Sequence, residues 1–456
     1  MQTYDAIIIG SGQAGFPLAG ALTDKGWKVA LAEGGRIGGT CINYGCSPTK
    51  TIIASAHAVH QARRAADYGF STGPISVDLA AVMARKDRVV ERFHGGGENW
   101  LTSIPNLTIY RGFAAFESPN QVRVGDDVLQ SDRIYINTGT RPTPPEIPGL
   151  ASAGYLTNVT ALDLKTVPDH LVILGGGYVA VEYAQAFRRF GSQVTIVQRG
   201  PQLLSQEDAD IAGAALSILE AEGVEVILNA QAEHAGDADG VKLLTVRVDG
   251  QTRQVSSSHL MVATGRRPNS DRLGLENAGV QTDGRGYIQV DDHLQTNIPG
   301  IWALGDINGQ GAFTHTSYND FEIALDNING RQRKLSDRIL TYGVYLDPPL
   351  GRVGMTEKQV RESGRKALVG CKPMSHISRA IERDETQGFM KVLVDAEDKT
   401  FLGAAIFGIG GDEIVHAITD LMYTKAPYTV MKNAVHIHPT VSELLPTLLG
   451  ELQPLA

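Results

Sequence analysis

Two cysteines, Cys41 and Cys46, are the residues of this sequence best suited to chemistry. Along a regular helix their spacing separates the Cα atoms by about 7.5 Å of rise, more than the roughly 4.4 to 6.8 Å that a disulfide allows. Gly45 and Pro48 permit the distorted turn that a bond would need, because glycine relaxes the backbone and proline removes a helical N–H. A helix N-terminus and the nearby Lys50 would both lower a thiol pKa. The pattern therefore predicts a redox-active pair.

The scarcity of cysteine supports this interpretation. A chain of 456 residues with 3 cysteines has no structural disulfide framework, since such frameworks belong to small secreted domains. Two alternatives stay open for Cys41 and Cys46: unrelated thiols, or half of a metal site, for which no second cysteine or histidine pair lies nearby. Cys371 stands alone and is predicted to be a packed or inert thiol.

A glycine-rich loop near the N-terminus predicts a dinucleotide site. A buried-strand pattern at 4–9 leads into residues 10–15, which read G-S-G-Q-A-G and fit G-x-G-x-x-G. These glycines allow a tight turn and bring the amides of a helix N-terminus close to a pyrophosphate. Glu33 ends the next strand, where a carboxylate can accept the ribose hydroxyls. The alternative is glycine punctuation of an ordinary α/β turn.

A second loop of the same kind follows the strand pattern at 171–174. Residues 175–180 read G-G-G-Y-V-A, with alanine in the third small position, a variant that the fingerprint tolerates. The next strand pattern, 193–197, ends at Gln198 and Arg199 rather than at a carboxylate. NAD sites usually present an acid there, whereas a guanidinium suits the 2′-phosphate of NADP. The sequence favours NADPH, and a merely solvated Arg199 is the alternative.

The two units close on matching strand-to-glycine exits, at 136–142 and 262–268, and a proline-rich segment at 143–149 separates them,. After about residue 336 alternating patterns take over, with a helical stretch at 412–423,. We predict an α/β fold with two Rossmann-like dinucleotide-binding domains and a C-terminal α+β domain. The predicted domains are 1–145 together with 266–335, then 146–265, and finally 336–456.

The stretch that carries the cysteines, G-G-T-C-I-N-Y-G-C-S-P-T-K at 38–50, follows directly on the first loop and its strand. It resembles the pyridine nucleotide-disulfide oxidoreductases, among them dihydrolipoamide dehydrogenase, glutathione reductase and mercuric reductase, and the resemblance covers essentially the whole chain. It implies that the first domain binds FAD, the second binds NAD(P)H, and the third is a dimerisation domain. The active form would be a homodimer. The resemblance makes Cys46 the thiol nearest the flavin, able to form a thiolate–flavin charge-transfer complex, and Cys41 the thiol that meets substrate.

The same resemblance assigns cofactor contacts. It implies that the ADP half of FAD is bound by Gly10, Gly12, Gly15 and Glu33. The other FAD contacts are Thr40, Lys50, Gly112, Thr138, Gly139 and Asp306. The predicted residues on the nicotinamide side are Gly175, Gly177, Tyr178, Glu182, Arg199 and Gly265. Tyr178 resembles an aromatic gate over the nicotinamide pocket and Glu182 a carboxylate paired with Lys50, while the alternatives are a packed tyrosine and a helix-surface glutamate.

Near the C-terminus, residues 436–443 read H-I-H-P-T-V-S-E and match the family's H-x-H-P-T-x-x-E element. Imidazole titrates near neutrality, so it can take a proton from a substrate thiol or stabilise the Cys41 thiolate. The resemblance makes His438 that base and Glu443 its orienting residue, both supplied by the other subunit. A metal site at His436 and His438 is the alternative, but no third ligand stands at suitable spacing. No metal is predicted.

The charge balance excludes some partners. Lysine plus arginine (41) against aspartate plus glutamate (50) gives a net charge of -9 without any basic block, so neither nucleic acid nor an anionic membrane is expected. The N-terminus has no basic stretch, and its first apolar run ends after Ile9, too short for a signal sequence or a membrane span. We expect a cytoplasmic protein.

Electrons are predicted to pass from NADPH, with NADH left open, through FAD and the Cys41–Cys46 disulfide to a substrate. A small disulfide or thiol-type substrate is the first hypothesis, and a metal ion, a quinone or another oxidant is the second. The third, a non-catalytic flavin-binding adaptor, is disfavoured by the intact relay. Tyr178, Arg199 and Thr49 make the chain look more like mercuric reductase-like proteins than dihydrolipoamide dehydrogenase. The lack of a second cysteine pair at the C-terminus argues against mercury(II) as the natural substrate.

Overall fold

The computed structural model describes residues 1–455, and its first parallel sheet is built around the strand Ala6–Ile9. All four side chains of this strand are buried, as an uninterrupted apolar run requires when both faces of a parallel sheet are covered. Each pairing in the sheet is parallel. The strand order is Ile301–Ala303, Ile134–Ile136, Ala6–Ile9, Val29–Glu33 and Leu107–Arg111.

Helices and a smaller sheet complete this first region. The longest helix, Leu79–Thr102, begins where the Asp78 carboxylate accepts a hydrogen bond from the Ala81 N–H, which satisfies one of the free amides of a helix N-terminus. The other helices are Gly15–Asp24, Gly39–Asn43, Cys46–Arg63, Leu275–Ala278 and Thr314–Ile328, with 3-10 turns at Ala65–Tyr68, Gly305–Asn308 and Leu335–Asp337. The smaller sheet has the order Gln2–Thr3, Asp127–Gln130, Gln121–Val124 and Ala114–Ser118.

The second region repeats the same plan in the middle of the chain. Its parallel sheet has the order Glu225–Ile227, Gln193–Val197, His170–Leu174 and His259–Val262. The helices are Leu150–Ala153, Tyr178–Phe190 and Ala209–Ala221, with a 3-10 turn at Thr160–Asp163. An antiparallel meander of Gln231–Ala238, Val241–Val248 and Gln251–Ser257 is attached.

The two regions are joined by a short antiparallel ribbon. Thr140–Pro142 pairs with Arg266–Pro268, so that Arg141 lies opposite Arg267. These strands lie within the two exits that the sequence shows to match. The segment by which the chain leaves the first region therefore lies beside the segment by which it returns.

The third region is an antiparallel sheet with helices against it. The sheet order is Thr341–Val344, Leu350–Gly354, Phe401–Phe407, Phe389–Asp395, Ala367–Pro373 and Gln453–Pro454. The helices are Glu357–Glu362, Ser378–Glu382, Gly411–Tyr423, Thr429–Lys432 and Leu445–Leu448, with 3-10 turns at Met374–His376 and Ser442–Leu444. The predicted fold class is confirmed, while the residue bounds of the three domains stay a prediction.

Candidate active site

The two cysteines lie on either side of a break between two helices. Cys41 belongs to the short helix Gly39–Asn43, and Cys46 is the first residue of the helix Cys46–Arg63, here called the redox helix. Gly45 leaves helical geometry at φ -127°, ψ -109°, and a Cβ atom there would lie 3.0 Å from the Thr40 carbonyl oxygen. This break is the distorted turn that the spacing requires, and both thiols are free and lie close enough for each to act on the pKa of the other.

The surroundings of the thiols make them unequal. The hydrogen bond from Cys41 lowers the pKa of Cys46 to about 6, although burial opposes this shift. Thr314 assists because its Oγ1 lies 3.1 Å from Cys46 Sγ, and the Lys50 charge acts in the same direction. The pKa of Cys41 is raised, first by its hydrogen bond to Cys46 and then by burial. Near pH 7 the pair therefore carries one negative charge, on Cys46.

Lys50 and Glu182 form an ion pair beside the cysteines. Lys50 Nζ lies 2.6 Å from Glu182 Oε2, and the Glu182 side chain is only 2% exposed. The other carboxylate oxygen accepts a hydrogen bond of 2.9 Å from the Tyr345 N–H. Because a buried carboxylate is stable as an anion only when it is paired, Lys50 is held at this end of the cleft.

The first glycine loop is shaped by close contact with Asn137. Gly10 has φ +99°, and a Cβ on it would lie 2.4 Å from the Asn137 carbonyl oxygen. The Gly15 N–H donates to Asn137 Oδ1 at 3.0 Å, while Glu33 Oε2 accepts hydrogen bonds of 2.9 and 2.5 Å from the Ser11 N–H and hydroxyl. A larger residue at these glycines would displace the backbone, so the loop is built for close approach by a ligand.

A cleft of about 710 Å³ runs from this loop to the cysteines. The predicted residues that line it are Gly10, Gly12, Glu33, Thr40, Cys41, Cys46, Lys50, Gly112, Thr138, Gly139, Tyr178, Glu182 and Asp306. Burial raises the pKa of Asp306, whose Oδ2 accepts a hydrogen bond of 2.8 Å from the Thr140 hydroxyl. One part of this long cleft has glycine walls suited to phosphate groups, an acidic residue lines it, and the cysteines lie at one end. This arrangement fits an extended dinucleotide such as FAD.

The second loop repeats the construction of the first. Gly175 has φ +109°, and a Cβ on it would lie 2.5 Å from the Ala263 carbonyl oxygen. Tyr178 begins the helix Tyr178–Phe190, lines the cleft and packs on Phe313 with ring centroids 5.8 Å apart. Arg199 follows its strand with an exposed side chain. The predicted residues outside the lining of the cleft are Gly15, Gly175, Gly177, Arg199, Gly265, His438 and Glu443.

His438 and Glu443 form a pair on the surface. His438 Nδ1 lies 2.9 Å from Glu443 Oε2, and the histidine side chain is 72% exposed. The neighbouring Val435 and Ile437 are also exposed, at 101% and 80%. Neither residue lines the cleft that holds the cysteines, and the exposed apolar residues beside the pair fit a surface that another subunit covers.

Sequence reasoning missed several residues of the site. Thr314, Phe313 and Tyr345 line the cleft, yet no motif in the sequence marks them. Asn137 occurs in the first of the matching exits, but its bonds to the glycine loop depend on strand order. Each of these residues lies far along the chain from the residue that it contacts in the site.

Three further observations concern residues outside the cleft. Cys371 is exposed, so the packed alternative for this thiol is wrong, while the inert alternative stays a prediction. Among residues 1–455 no group of three or more histidine, cysteine, aspartate or glutamate side chains is placed to hold a metal ion. Within the same range, none of the helices has the length and apolar character needed to span a bilayer.

Two glycine loops of the same construction, with a cysteine pair at one end of the cleft, define an oxidoreductase that joins dinucleotides to thiol chemistry. The family model of the pyridine nucleotide-disulphide oxidoreductases matches residues 4–320, and that of their dimerisation domain matches 341–449. The chain belongs to this family. It is accordingly an FAD-dependent oxidoreductase whose electron donor is a pyridine nucleotide.

Three relatives show the range of the family. The chain is 36% identical to the probable pyridine nucleotide-disulfide oxidoreductase RclA of Escherichia coli (strain K12), over 98% of each chain. It is 33% identical to a mercuric reductase of Lysinibacillus sphaericus, over 95% of this chain and 82% of the relative, and 31% identical to a dihydrolipoyl dehydrogenase of Geobacillus stearothermophilus, over 96% and 94%. The solved Cu(II) complex of the HOCl-induced flavoprotein disulfide reductase RclA from Escherichia coli superimposes with a TM-score of 0.90 over 99% of each chain, at 36% identity.

Proposed function

We propose that the protein is an NADPH-dependent reductase of a small disulfide, working through Cys41 and Cys46. The observation that carries this proposal is the unequal pair: Cys46 with a pKa of about 6, next to Cys41 with a raised pKa, at one end of the cleft. An anionic thiol beside a protonated one suits a reductase in which one sulfur stores charge and the other exchanges with substrate.

The bond changes balance as a two-electron reduction. Cys41 gives up its proton and attacks one sulfur of the substrate disulfide, which forms a mixed disulfide and releases one substrate thiol after protonation. The Cys46 thiolate then attacks Cys41 Sγ, so the Cys41–Cys46 disulfide forms and the second half of the substrate leaves as a thiolate, which takes a proton from the solvent. When bound, FAD supplies the two-electron transfer between the pyridine nucleotide and this disulfide.

The chain's other residues hold the cofactor and manage protons. Gly10, Gly12 and Glu33 would hold the adenosine and phosphate end of FAD, and Lys50 would lie at its redox end. His438, oriented by Glu443 and contributed by a second subunit, would take the Cys41 proton and return it to the leaving thiol. This proposal requires a homodimer, which the dimerisation domain and the exposed residues beside His438 support.

Arg199 supports a preference for NADPH. It follows the strand Gln193–Val197 at the place where a ribose-binding acid would stand, and its side chain is exposed. Arg199→Ala should lower the ratio of kcat/KM for NADPH over NADH about tenfold, as the loss of one charge-assisted hydrogen bond predicts. Arg285→Ala, which removes an exposed arginine paired with Asp283 outside the predicted NAD(P)H-binding domain, should leave the ratio unchanged. An unchanged ratio in Arg199→Ala would refute the preference.

A metal ion is the second candidate substrate. One relative is named mercuric reductase, and RclA was solved as a Cu(II) complex. Soft sulfur ligands in an open cleft suit copper and mercury ions. Neither the site nor these relatives favour a quinone.

An anaerobic titration with NADPH tests the redox pair directly. Two reducing equivalents should yield two new free thiols per chain, detected by alkylation and peptide mass spectrometry at Cys41 and Cys46. Cys41→Ser should keep FAD and its reduction by NADPH but lose turnover with disulfides. A panel of disulfides, Cu(II) and Hg(II) then separates the two candidate substrates. Full turnover by Cys41→Ser with a disulfide would contradict the proposed function.

A further inference from the structure

A short segment of the third region, residues 345–347 and here called the brace, contacts both helices beside the redox site. The Tyr345 N–H donates to Glu182 at 2.9 Å, and Lys50 Nζ lies 4.5 Å from the centroid of the Tyr345 ring. Lys50 is thus held between a carboxylate and an aromatic face. A cation over a tyrosine ring at this distance is attracted by the ring's quadrupole.

The far end of the brace is anchored by Asp347. Its N–H donates to Gln185 Oε1 at 2.8 Å and its carbonyl accepts from Gln185 Nε2 at 2.9 Å. Its carboxylate contacts His57 Nδ1 at 2.6 Å and pairs with Arg189. Burial alone would raise the pKa of Asp347, but the hydrogen bond from His57 and the Arg189 charge bring it well below its ordinary range. Asp347 is therefore a firm attachment for the segment.

The residues that the brace contacts lie on one face of each of the two helices. Glu182, Gln185 and Arg189 follow the i, i+3, i+7 spacing along Tyr178–Phe190, so they share one face,. Lys50 and His57 are seven positions apart on the redox helix and share one face for the same reason,. The brace thus ties the redox helix to the helix of the second glycine loop along a continuous row of polar contacts.

We propose that Tyr345 is a positioning residue of the redox centre, which acts by confining the Lys50 ammonium next to Cys46. The proposal rests on the proposed function, because it concerns the state of the thiol that the reductase needs. The four-carbon stem of Lys50 is flexible, and the Glu182 carboxylate alone would leave the ammonium free to turn about that single contact. The Tyr345 ring supplies a second contact that removes this freedom.

Loss of the ring should change the charge around Cys46 in one direction. The Lys50 charge lowers the pKa of Cys46 and the Glu182 charge raises it. If Lys50 moves outward, the first effect weakens and the second is no longer offset. The titratable groups that are coupled electrostatically to Cys46 or to Tyr345 are Cys41, Lys50, Tyr178, Glu182, Asp412 and Glu413.

The test compares Tyr345→Leu with Tyr345→Phe in the FAD-loaded, fully reduced protein. The measured quantity is the pH midpoint of Cys46 alkylation by iodoacetamide, followed by peptide mass spectrometry in a Cys371→Ser background. Tyr345→Leu should raise the midpoint by about half a pH unit, which corresponds to about 0.7 kcal/mol less attraction between the Lys50 ammonium and the Cys46 thiolate. Tyr345→Phe, which keeps the ring, should match the parent.

Tyr318→Leu is the matched control. Tyr318 is 47% exposed against 38% for Tyr345, and it does not line the cleft, so its loss should not move the midpoint. Tyr345→Met is a second non-aromatic replacement for use if the leucine variant does not fold. The proposal is overturned if the leucine or methionine variant matches the parent, or if Tyr345→Phe shifts as far as they do. The proposed function fails separately, if NADPH yields no Cys41 and Cys46 thiols in the parent protein.

Discussion

Removal of the Thr314 hydroxyl should raise the pKa of the Cys46 thiol. Thr314 Oγ1 lies 3.1 Å from Cys46 Sγ, and Thr314→Val keeps the shape of the side chain without its donor. A hydrogen bond to a charged group contributes about 1.5–3 kcal/mol, which corresponds to about 1–2 pKa units. From a starting pKa of about 6, the variant should titrate at about 7–8. At pH 7 the thiolate fraction would fall from about nine-tenths to between about a half and a tenth.

The assay is the rate of alkylation at Cys46 as a function of pH in chemically reduced protein, since only the thiolate is nucleophilic. Thr51→Val is the control: it lies on the same redox helix and is 8% exposed, but its hydroxyl donates to the Ser47 carbonyl rather than to a sulfur. The control should keep the parent midpoint. A Thr314→Val midpoint within about 0.3 units of the parent value would refute the argument that this hydroxyl stabilises the thiolate.

Two further substitutions test the cofactor loop and the polar row between helices. Gly15→Ala should purify with little bound FAD, because its Cβ would lie 2.0 Å from the Gly10 carbonyl oxygen. Gly213→Ala, whose Cβ meets nothing within 4 Å, should keep its full complement of FAD. Equal flavin absorbance in the two variants would contradict this prediction. The contact with Asp347 raises the pKa of His57. The contribution of this contact to the stability of the fold is therefore complete below the unfolded histidine pKa of about 6.5, and it is lost as the pH rises through the pKa of the folded protein. His57→Gln should therefore lower the urea midpoint more at pH 6 than at pH 9, and an equal decrease at both would exclude a protonation effect.

Much of the fold can be predicted from local patterns. The strand patterns at 171–174 and 193–197 are observed as His170–Leu174 and Gln193–Val197. Short apolar runs that end at glycine or at a charged residue are local signals, so the strands that they predict are found in the structure with only small differences at the ends. The first strand begins at Ala6 rather than at residue 4, and the helix predicted at 412–423 begins at Gly411.

Other features depend on contacts across long stretches of chain. The Thr314 hydroxyl meets Cys46 across 268 positions, and the Tyr345 N–H meets Glu182 across 163. No spacing rule reaches so far, because these partners are brought together by strand order and by the packing of the third region. The exposure of Cys371 was also decided there, on the strand Ala367–Pro373.

The sequence by itself determined the kinds of chemistry available: two glycine loops after buried strands, an acidic residue at a strand end, and cysteines too far apart for a regular helix. Local geometry and residue type are enough for these conclusions. Only the tertiary structure decided which groups surround the cysteines, with Thr314 beside Cys46 and Tyr345 beside Lys50 and Glu182. A pKa depends on burial and on the distances to charges and hydrogen-bond partners, and spacing along the chain does not specify those distances.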